Sequence, residues 1–291
     1  MNTRSRTALP IAVISVLGAS SMALVCSAGA SAKVIYQTDF TTRQDDRQAF
    51  RNGDDLRFQD QWLGQDGVTV ETKAPGRIVT DGTAYKRVLQ GRGATGGVAG
   101  KDGSEEQGSG FTNGDVLRIT IQLQYTLARD KPNQDLSLIG VRPDFVRGGF
   151  DAGPTAGFRV AFSAFGEGAL KFYTNTQRLG ANASDNPFAL FLPAKDAGLA
   201  IGDRDLETDP LQVQYTAKFR DGAWSAKELR VTNLKTRRIV ADAAEDKPQT
   251  LESTPYTGTE AFLALRLIGQ PGAIASSESV RFEYIRSEVA P

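Results

Sequence analysis

Histidine is absent from all 291 residues. Imidazole is the usual general base near neutral pH and the commonest metal ligand. Its absence excludes Ser-His-Asp and Cys-His nucleophilic catalysis, zinc hydrolases and cupin-type metal centres. Catalysis on this chain would have to rest on carboxylates, Lys, Tyr or Arg. Cysteine occurs once, at Cys26, so no disulfide can form within the chain and an exported form must be stabilised by its own core. An excess of either charge is missing too. Of 34 basic and 34 acidic residues, only Arg4 and Arg6 fall in the first 32 positions, which leaves 32 against 34 beyond them. No basic stripe supplies the electrostatic footprint of nucleic-acid binding, and no acidic tail signals disorder. Internal repeats at a solenoid or propeller period are also missing.

The amino terminus carries a signal. Arg4 and Arg6 form a basic start, residues 8–25 are largely apolar, and Ala30-Ser31-Ala32 places small residues at −3 and −1 of a cleavage point. A membrane anchor needs about 20 strongly apolar residues. Pro10, Ser15, Gly18, Ser20 and Ser21 dilute this run, and no basic stop-transfer cluster comes after it. Residues 1–32 are therefore expected to be a signal peptide, leaving 33–291 as one secreted or periplasmic domain with no transmembrane segment. Lipid attachment at Cys26 is the rival, disfavoured because Val25 stands where a small residue is wanted.

Beyond this leader the chain is rich in strand pattern. In 116–127, Leu117, Ile119, Ile121, Leu123, Tyr125 and Leu127 alternate with Arg118, Thr120, Gln122, Gln124 and Thr126. Such alternation describes a strand with one buried and one wet face. The segment 211–219 repeats it, with Leu211, Val213, Tyr215, Ala217 and Phe219 facing in. Leu263, Leu265 and Leu267 alternate with Ala264 and Arg266, and Val280, Phe282 and Tyr284 with Arg281 and Glu283. Further strands are expected at 34–40, 68–72, 77–80, 136–141, 158–164, 170–174, 228–233 and 238–241. Phe165-Gly166-Glu167-Gly168 and Asp221-Gly222 read as hairpin turns. The pattern predicts an all-β, two-sheet antiparallel sandwich. Helical signal is limited to 42–50 and to 187–200, which Pro193 interrupts. Residues 91–110, with eight glycines and few apolar residues, read as a mobile surface loop.

Four stretches carry a resemblance. Val34-Ile35-Tyr36-Gln37-Thr38-Asp39-Phe40 is similar to an opening strand, and Asn113-Gly114-Asp115-Val116-Leu117 to a turn that leads into a central strand. Gly222-Ala223-Trp224 is similar to a late hairpin, and 279–285 to a closing strand. Together they resemble the concanavalin A-like (laminin G-like) jelly-roll superfamily in its secreted bacterial form. The resemblance implies a carbohydrate-associated sandwich and does not imply catalysis, since the superfamily mixes lectins, adhesion modules, glycosidases and lyases.

Three constellations carry candidate chemistry. Asp203, Asp205, Glu207 and Asp209 alternate between Gly202 and Pro210. Three readings stay open: a solvated acidic loop, a Ca²⁺ site built of carboxylate oxygens, or a pair for retaining glycoside hydrolysis, which needs carboxyls roughly 5–5.5 Å apart. The last resembles, imperfectly, the Glu-x-Asp-x-x-Glu strand of laminarinase-like glycosidases. Trp62 and Trp224 read as core or turn packing, with sugar stacking as the alternative for both and Trp224 the better placed, because it follows a turn. Arg118, Gln122, Gln124, Gln212, Gln214 and Lys218 lie on the wet faces of the two clearest strands. On one shared face they could bind sugar hydroxyls or an anionic glycan. Polyuronate lyases of this superfamily use Arg, Gln, Tyr and His on such a face, and here the histidine is missing. The expectation is a secreted protein that binds a polysaccharide or cell-surface glycan, or serves as a surface-interaction module, without catalysis. A polysaccharide-degrading enzyme using carboxylates or Tyr and a structural envelope or matrix protein are the alternatives. No cofactor is implied beyond the Ca²⁺ reading.

Overall fold

Strict alternation over eleven residues becomes a strand with one wet and one dry side. A computed structural model describes residues 32–41, 50–57, 59–99, 105–106, 108–143, 155–174, 190–200, 206–244 and 253–287. The expected leader, with Cys26, lies outside them apart from Ala32. The described strands, in chain order, are β1 Lys33–Thr38, β2 Trp62–Gly64, β3 Val68–Glu71, β4 Arg77–Thr80, β5 Lys86–Gly93, β6 Val98–Ala99, β7 Glu105–Glu106, β8 Val116–Thr126, β9 Asn133–Arg142, β10 Ala156–Ser163, β11 Ala169–Tyr173, β12 Leu190–Pro193, β13 Leu211–Arg220, β14 Ala223–Asn233, β15 Arg238–Ala244, β16 Ser253–Pro255, β17 Phe262–Leu267, β18 Ile274–Ser277 and β19 Val280–Ile285.

They form two antiparallel sheets, the architecture of a jelly-roll sandwich. The first runs β15-β14-β13-β8-β18-β4-β3, with β19 on β8, β1 on β19 and β16 on β14. The second runs β12-β11-β10-β9-β17-β5-β6-β7, with β2 on β5. In the first sheet Ile121 lies opposite Val213 and Val280, and all three are buried. The β13–β14 hairpin turns at Asp221 and Gly222, both with positive φ (49° and 74°). That is the type I′ geometry that suits the strand twist and favours glycine at the second position.

One apolar cluster fills the space between the sheets. Phe158 of the second sheet meets Tyr215 of the first at 5.9 Å between ring centres. The Tyr125 and Ser137 hydroxyls share a hydrogen bond of 2.5 Å from β8 to β9, and Trp62 Nε1 donates to the Tyr36 hydroxyl at 2.9 Å. Both tryptophans are fully buried. Trp224 packs edge-on against Phe111, Phe219 and Tyr256. The stacking alternative for Trp62 and Trp224 is thereby corrected, because no part of either ring reaches a ligand from solvent. Losing a buried ring of this kind costs about 3–5 kcal/mol, which makes both tryptophans structural.

Two other local expectations are corrected. Residues 190–200 are not α-helical. Leu190 and Leu192 point inward from β12, opposite Phe172 and Leu170 of β11, while Phe191 is half exposed. This period-2 pattern outcompetes the helix, and a 3₁₀ turn at Ala194–Ala197 comes next, closed by Gly198 at φ 80°. Of the region read as a mobile loop, Gly91 and Gly93 belong to β5, and the buried carboxylate of Glu260 pins the next residues. It accepts from the backbone N–H of Thr95 (2.7 Å), Gly97 (2.5 Å) and Ala261 (2.8 Å), and from the Thr95 hydroxyl (3.0 Å). The helix expected at 42–50 lies outside the described residues except for buried Phe50, which packs on Phe40.

Burial makes the fold alkali-sensitive. It holds the phenols of Tyr36, Tyr125, Tyr215 and Tyr284 well above their ordinary value of 10. A tyrosine raised in the fold keeps its full contribution to stability below pH 10. That contribution is lost as pH rises further, because the unfolded chain ionises first. Denaturant midpoints are expected to be level from pH 7 to 9 and to fall steeply above 10. Tyr215→Phe, which removes a phenol shifted by burial alone, should soften that fall. A flat profile to pH 11.5 would contradict the burial assignment.

Candidate functional site

Register settles where the polar residues of the two clearest strands go. Gln122 lies opposite Gln212, Thr120 opposite Gln214, and Arg118 opposite Thr216, so β8 and β13 present these side chains on one outer face. The face extends through Arg230 and Asp242 on one side and Arg281 and Gln37 on the other. Its groups are largely occupied by each other. Gln122 donates to Glu278 (2.5 Å), Gln214 to Glu228 (2.9 Å) and Gln124 to the Thr208 carbonyl (3.0 Å). Buried Glu283 receives Arg281 at 2.7 Å and Arg118 at 3.6 Å, and Arg230 pairs with Glu228 at 2.8 Å. Arg118, Arg230, Arg281 and Lys218 thus stand among Glu228, Asp242, Glu278 and Glu283, a balanced surface.

The acidic run is only partly described. Asp203 and Asp205 lie outside the described residues. Glu207 is exposed and forms an isolated bridge with Thr126. Asp209 accepts from Asn233 Nδ2 at 2.9 Å and Lys235 Nζ at 2.9 Å. Thr208 between them is buried, with its hydroxyl accepting from the Tyr125 N–H. Among the described residues no three metal-ligating side chains converge.

The second sheet brings together residues that no sequence pattern links. Tyr173 pairs with Arg159, Arg159 with Leu138, Leu138 with Arg266, and Arg266 with Arg87. Directly opposed residues of antiparallel strands share a face, so these five make one row across β11, β10, β9, β17 and β5. Four strand spacings give a span of about 19 Å. The Arg266 guanidinium lies 3.7 Å from the centre of the Tyr85 ring, and that of Arg159 lies 5.3 Å from the Tyr173 ring. Tyr85 lies against Gly269, where a Cβ would collide with its phenol end. Asp135 accepts from Arg159 through Nε (2.9 Å) and Nη2. Gly157, Gly140 and Ala264 form the next row, and Arg142 the one beyond. Lys171 and half-exposed Phe191 continue the face at its β11–β12 end.

Among the described residues of β5, β9, β10, β11 and β17 this face carries Arg87, Arg142, Arg159, Arg266 and Lys171, with the carboxylate of Asp135 engaging Arg159. Burial lowers the Arg266 pKa, and the charges of Arg87 and Arg159 act in the same direction. Burial and the Asp135 charge push Tyr85 up to about 12, and burial also raises Tyr173. These phenols are therefore neutral hydrogen-bond donors near pH 7. Nε of Arg266 is buried and has no hydrogen-bond acceptor among the described residues, as is also true of Nε of Arg118 and Arg230 on the first sheet. The alternation of 263–267 is enough to place Arg266 outward. Nothing local to the sequence says that Arg87 and Arg159 join it.

Two clefts among the described residues are small, about 260 Å³ beside Leu127, Pro132 and Phe162 and about 200 Å³ beside Gln37, Thr120 and Arg281.

No family model and no curated protein matches the chain. Solved structures similar to it include basic winged bean lectin with Tn-antigen, at 8% identity and a TM-score of 0.47, covering 82% of this chain and 98% of that one. Peanut lectin with a nine-residue peptide matches at 12% identity and 0.44, covering 89% and 100%. The potassium-bound carbohydrate recognition domain of Emp46p matches at 11% identity and 0.44, covering 79% and 91%. All three are legume lectin-like, that is concanavalin A-like, β-sandwich domains.

Proposed function

We propose that this is an exported protein that binds a polysaccharide or cell-surface glycan across the outer face of its second sheet. The observation that carries this reading is the row Tyr173–Arg159–Leu138–Arg266–Arg87. A guanidinium stacked on an aromatic ring loses its faces to the ring and keeps its N–H edge for acceptors. The Arg266–Tyr85 pair, the edge of Arg159 and half-exposed Phe191 present donors and apolar surface to a ring that has hydroxyl edges and C–H faces, while Tyr173 and Leu138 of the row are themselves buried. A row about 19 Å long suits an extended chain better than a small molecule.

The same chemistry supports binding over cleavage on this face. Two-carboxylate hydrolysis needs a second acid beside Asp135, and the described residues of β5, β9, β10, β11 and β17 supply none. A tyrosine base needs a lowered pKa, and those of Tyr85 and Tyr173 are raised.

The test is affinity electrophoresis of the 33–291 chain through gels containing a panel of polysaccharides. Retardation by at least one polymer is expected. Arg266→Ala should weaken it tenfold or more, about 1.4 kcal/mol. A Gln212→Ala, Gln214→Ala double variant on the opposite sheet should bind as the parent does. Loss of binding only in that double variant would move the site to the first sheet. No retardation by any polymer would remove the glycan reading.

A further inference from the structure

The turn between β10 and β11 carries the most exposed large apolar side chain among the described residues, Phe165, which is 84% exposed. Its backbone is held in place. Gly168 donates to the Phe165 carbonyl at 3.1 Å, Ala194 to the Gly168 carbonyl at 2.9 Å, and Ala164 to the Pro132 carbonyl at 2.7 Å. The last bond sets this turn beside the one that joins β8 to β9. Between the two turns lies the cleft of about 260 Å³, with apolar walls from Leu127, Ala128, Pro132, Phe162, Ala164 and Leu206. Buried Gln134 fixes one side of it, accepting from the Ala128 N–H at 2.8 Å and donating to the Ala128 and Lys131 carbonyls at 3.0 and 2.9 Å. Phe165 comes directly after a wall residue, yet its own ring is not part of the lining. A fixed aromatic knob and a preformed apolar hole stand side by side, and the knob does not fill the hole.

We propose that this end of the sandwich is a self-association surface whose occupant is a second copy of the chain, each copy placing Phe165 in the other's cleft. A two-fold pair requires a patch that is complementary to itself. An adjacent knob and hole meet that requirement, because one rotation axis near Phe165 carries both rings to both clefts at once. Size permits the exchange, since an apolar cavity of about 150 Å³ takes a benzene ring. Charge agrees with it. The turn that carries the knob also carries the acid Glu167, and the rim of the cleft carries the cation Arg129, both exposed. Exchanging the rings brings each Glu167 toward the partner's Arg129. The area involved is small. A buried Phe ring removes about 150–250 Å² and the cleft wall a similar amount, so two exchanges bury about 800 Å² in all. Stable interfaces bury about 1,200–2,000 Å², which makes this a weak, reversible dimer that forms at high local concentration. The surface uses none of the outer-face residues of the second sheet.

Sedimentation equilibrium of the parent protein from about 5 to 500 µM tests this, a range that brackets so small an interface. The mean mass is expected to rise reversibly from one chain toward two. Phe165→Ser keeps the cleft and changes only an exposed side chain, so it should weaken association at least tenfold while the melting temperature stays within about 2 °C of the parent. Ala164→Leu, which narrows the cleft and keeps the ring, should weaken association too. Glu167→Arg and Arg129→Glu should each weaken it about fivefold, and the two together should restore most of it, because a direct charge pair survives exchange of its ends. A parent that stays monomeric at the highest concentration overturns the inference. A dimer that Phe165→Ser leaves intact also overturns it, by placing the contact elsewhere. Failure of the double charge swap to restore association would overturn the two-fold exchange. A monomeric parent whose retardation by a polysaccharide is lost in Phe165→Ser would assign the ring to sugar stacking instead.

Discussion

Ile121→Asp is expected to abolish soluble, folded protein. Ile121 is fully buried at the centre of β8, between Val213 and Val280 on the neighbouring strands. The substitution removes about 1.5–3 kcal/mol of apolar burial and adds a carboxyl with no partner in an apolar layer. A cost above about 5 kcal/mol reaches the whole stability of an ordinary domain, about 5–15 kcal/mol. Gln212→Glu, on the wet side next to Val213, should change stability by less than about 1 kcal/mol. Soluble yield, near-UV circular dichroism and urea midpoints measure both. Equal losses would mean that β8 and β13 are buried on both faces and that the register across them is different.

The second large effect is expected at Asp115→Ala. Asp115 is fully buried just before β8 and ties the turn that precedes β8 to β19 and the residues after it. Its carboxylate accepts from the Thr112 N–H (2.9 Å) and hydroxyl (3.0 Å), from the Tyr284 hydroxyl (2.7 Å) and from the Ser287 N–H (2.7 Å). Bonds to a charged acceptor contribute about 1.5–3 kcal/mol each, and removing the acceptor strands buried donors at full desolvation cost. The sum is not additive. A loss of about 4 kcal/mol is expected, lowering the melting temperature by roughly 10 °C. Asp115→Asn keeps one acceptor oxygen but turns an amide N–H₂ toward donors, and should lose about half as much. A variant that melts within 2 °C of the parent would show that the clasp contributes little.

The wet face suggested by the alternation does exist as one surface. Arg118, Gln122, Gln212, Gln214 and Lys218 share it, as the common period of 116–127 and 211–219 implies, and Gln124 continues β8 opposite Ser276 of β18. Their partners were not legible. Glu283 reads from its strand as a solvent-facing acid, yet it is buried beneath Arg118 and Arg281. Ala264 reads as wet and is buried in a second small cluster with Leu63, Leu89, Ala99 and Phe262. Period-2 patterning says which residues share a side. It does not say what lies over that side.

Local pattern was enough to commit the chain to a sandwich. Alternation over 116–127 and 211–219 requires long half-buried strands, Asp221-Gly222 selects the hairpin geometry, and the lack of histidine and of a cysteine pair removes whole classes of chemistry and of covalent support. Each of these is readable either within a dozen residues or from composition. Which charges meet was set at long range. Arg87, Arg159 and Arg266 are 72 and 107 residues apart along the chain and become neighbours through the β10–β9, β9–β17 and β17–β5 registers. Strand order and register depend on how all the apolar faces pack at once, so no short window of sequence encodes them. The same packing buried Trp224, whose place after a turn suggests exposure, because Phe111, Phe219 and Tyr256 close over it from three separate segments.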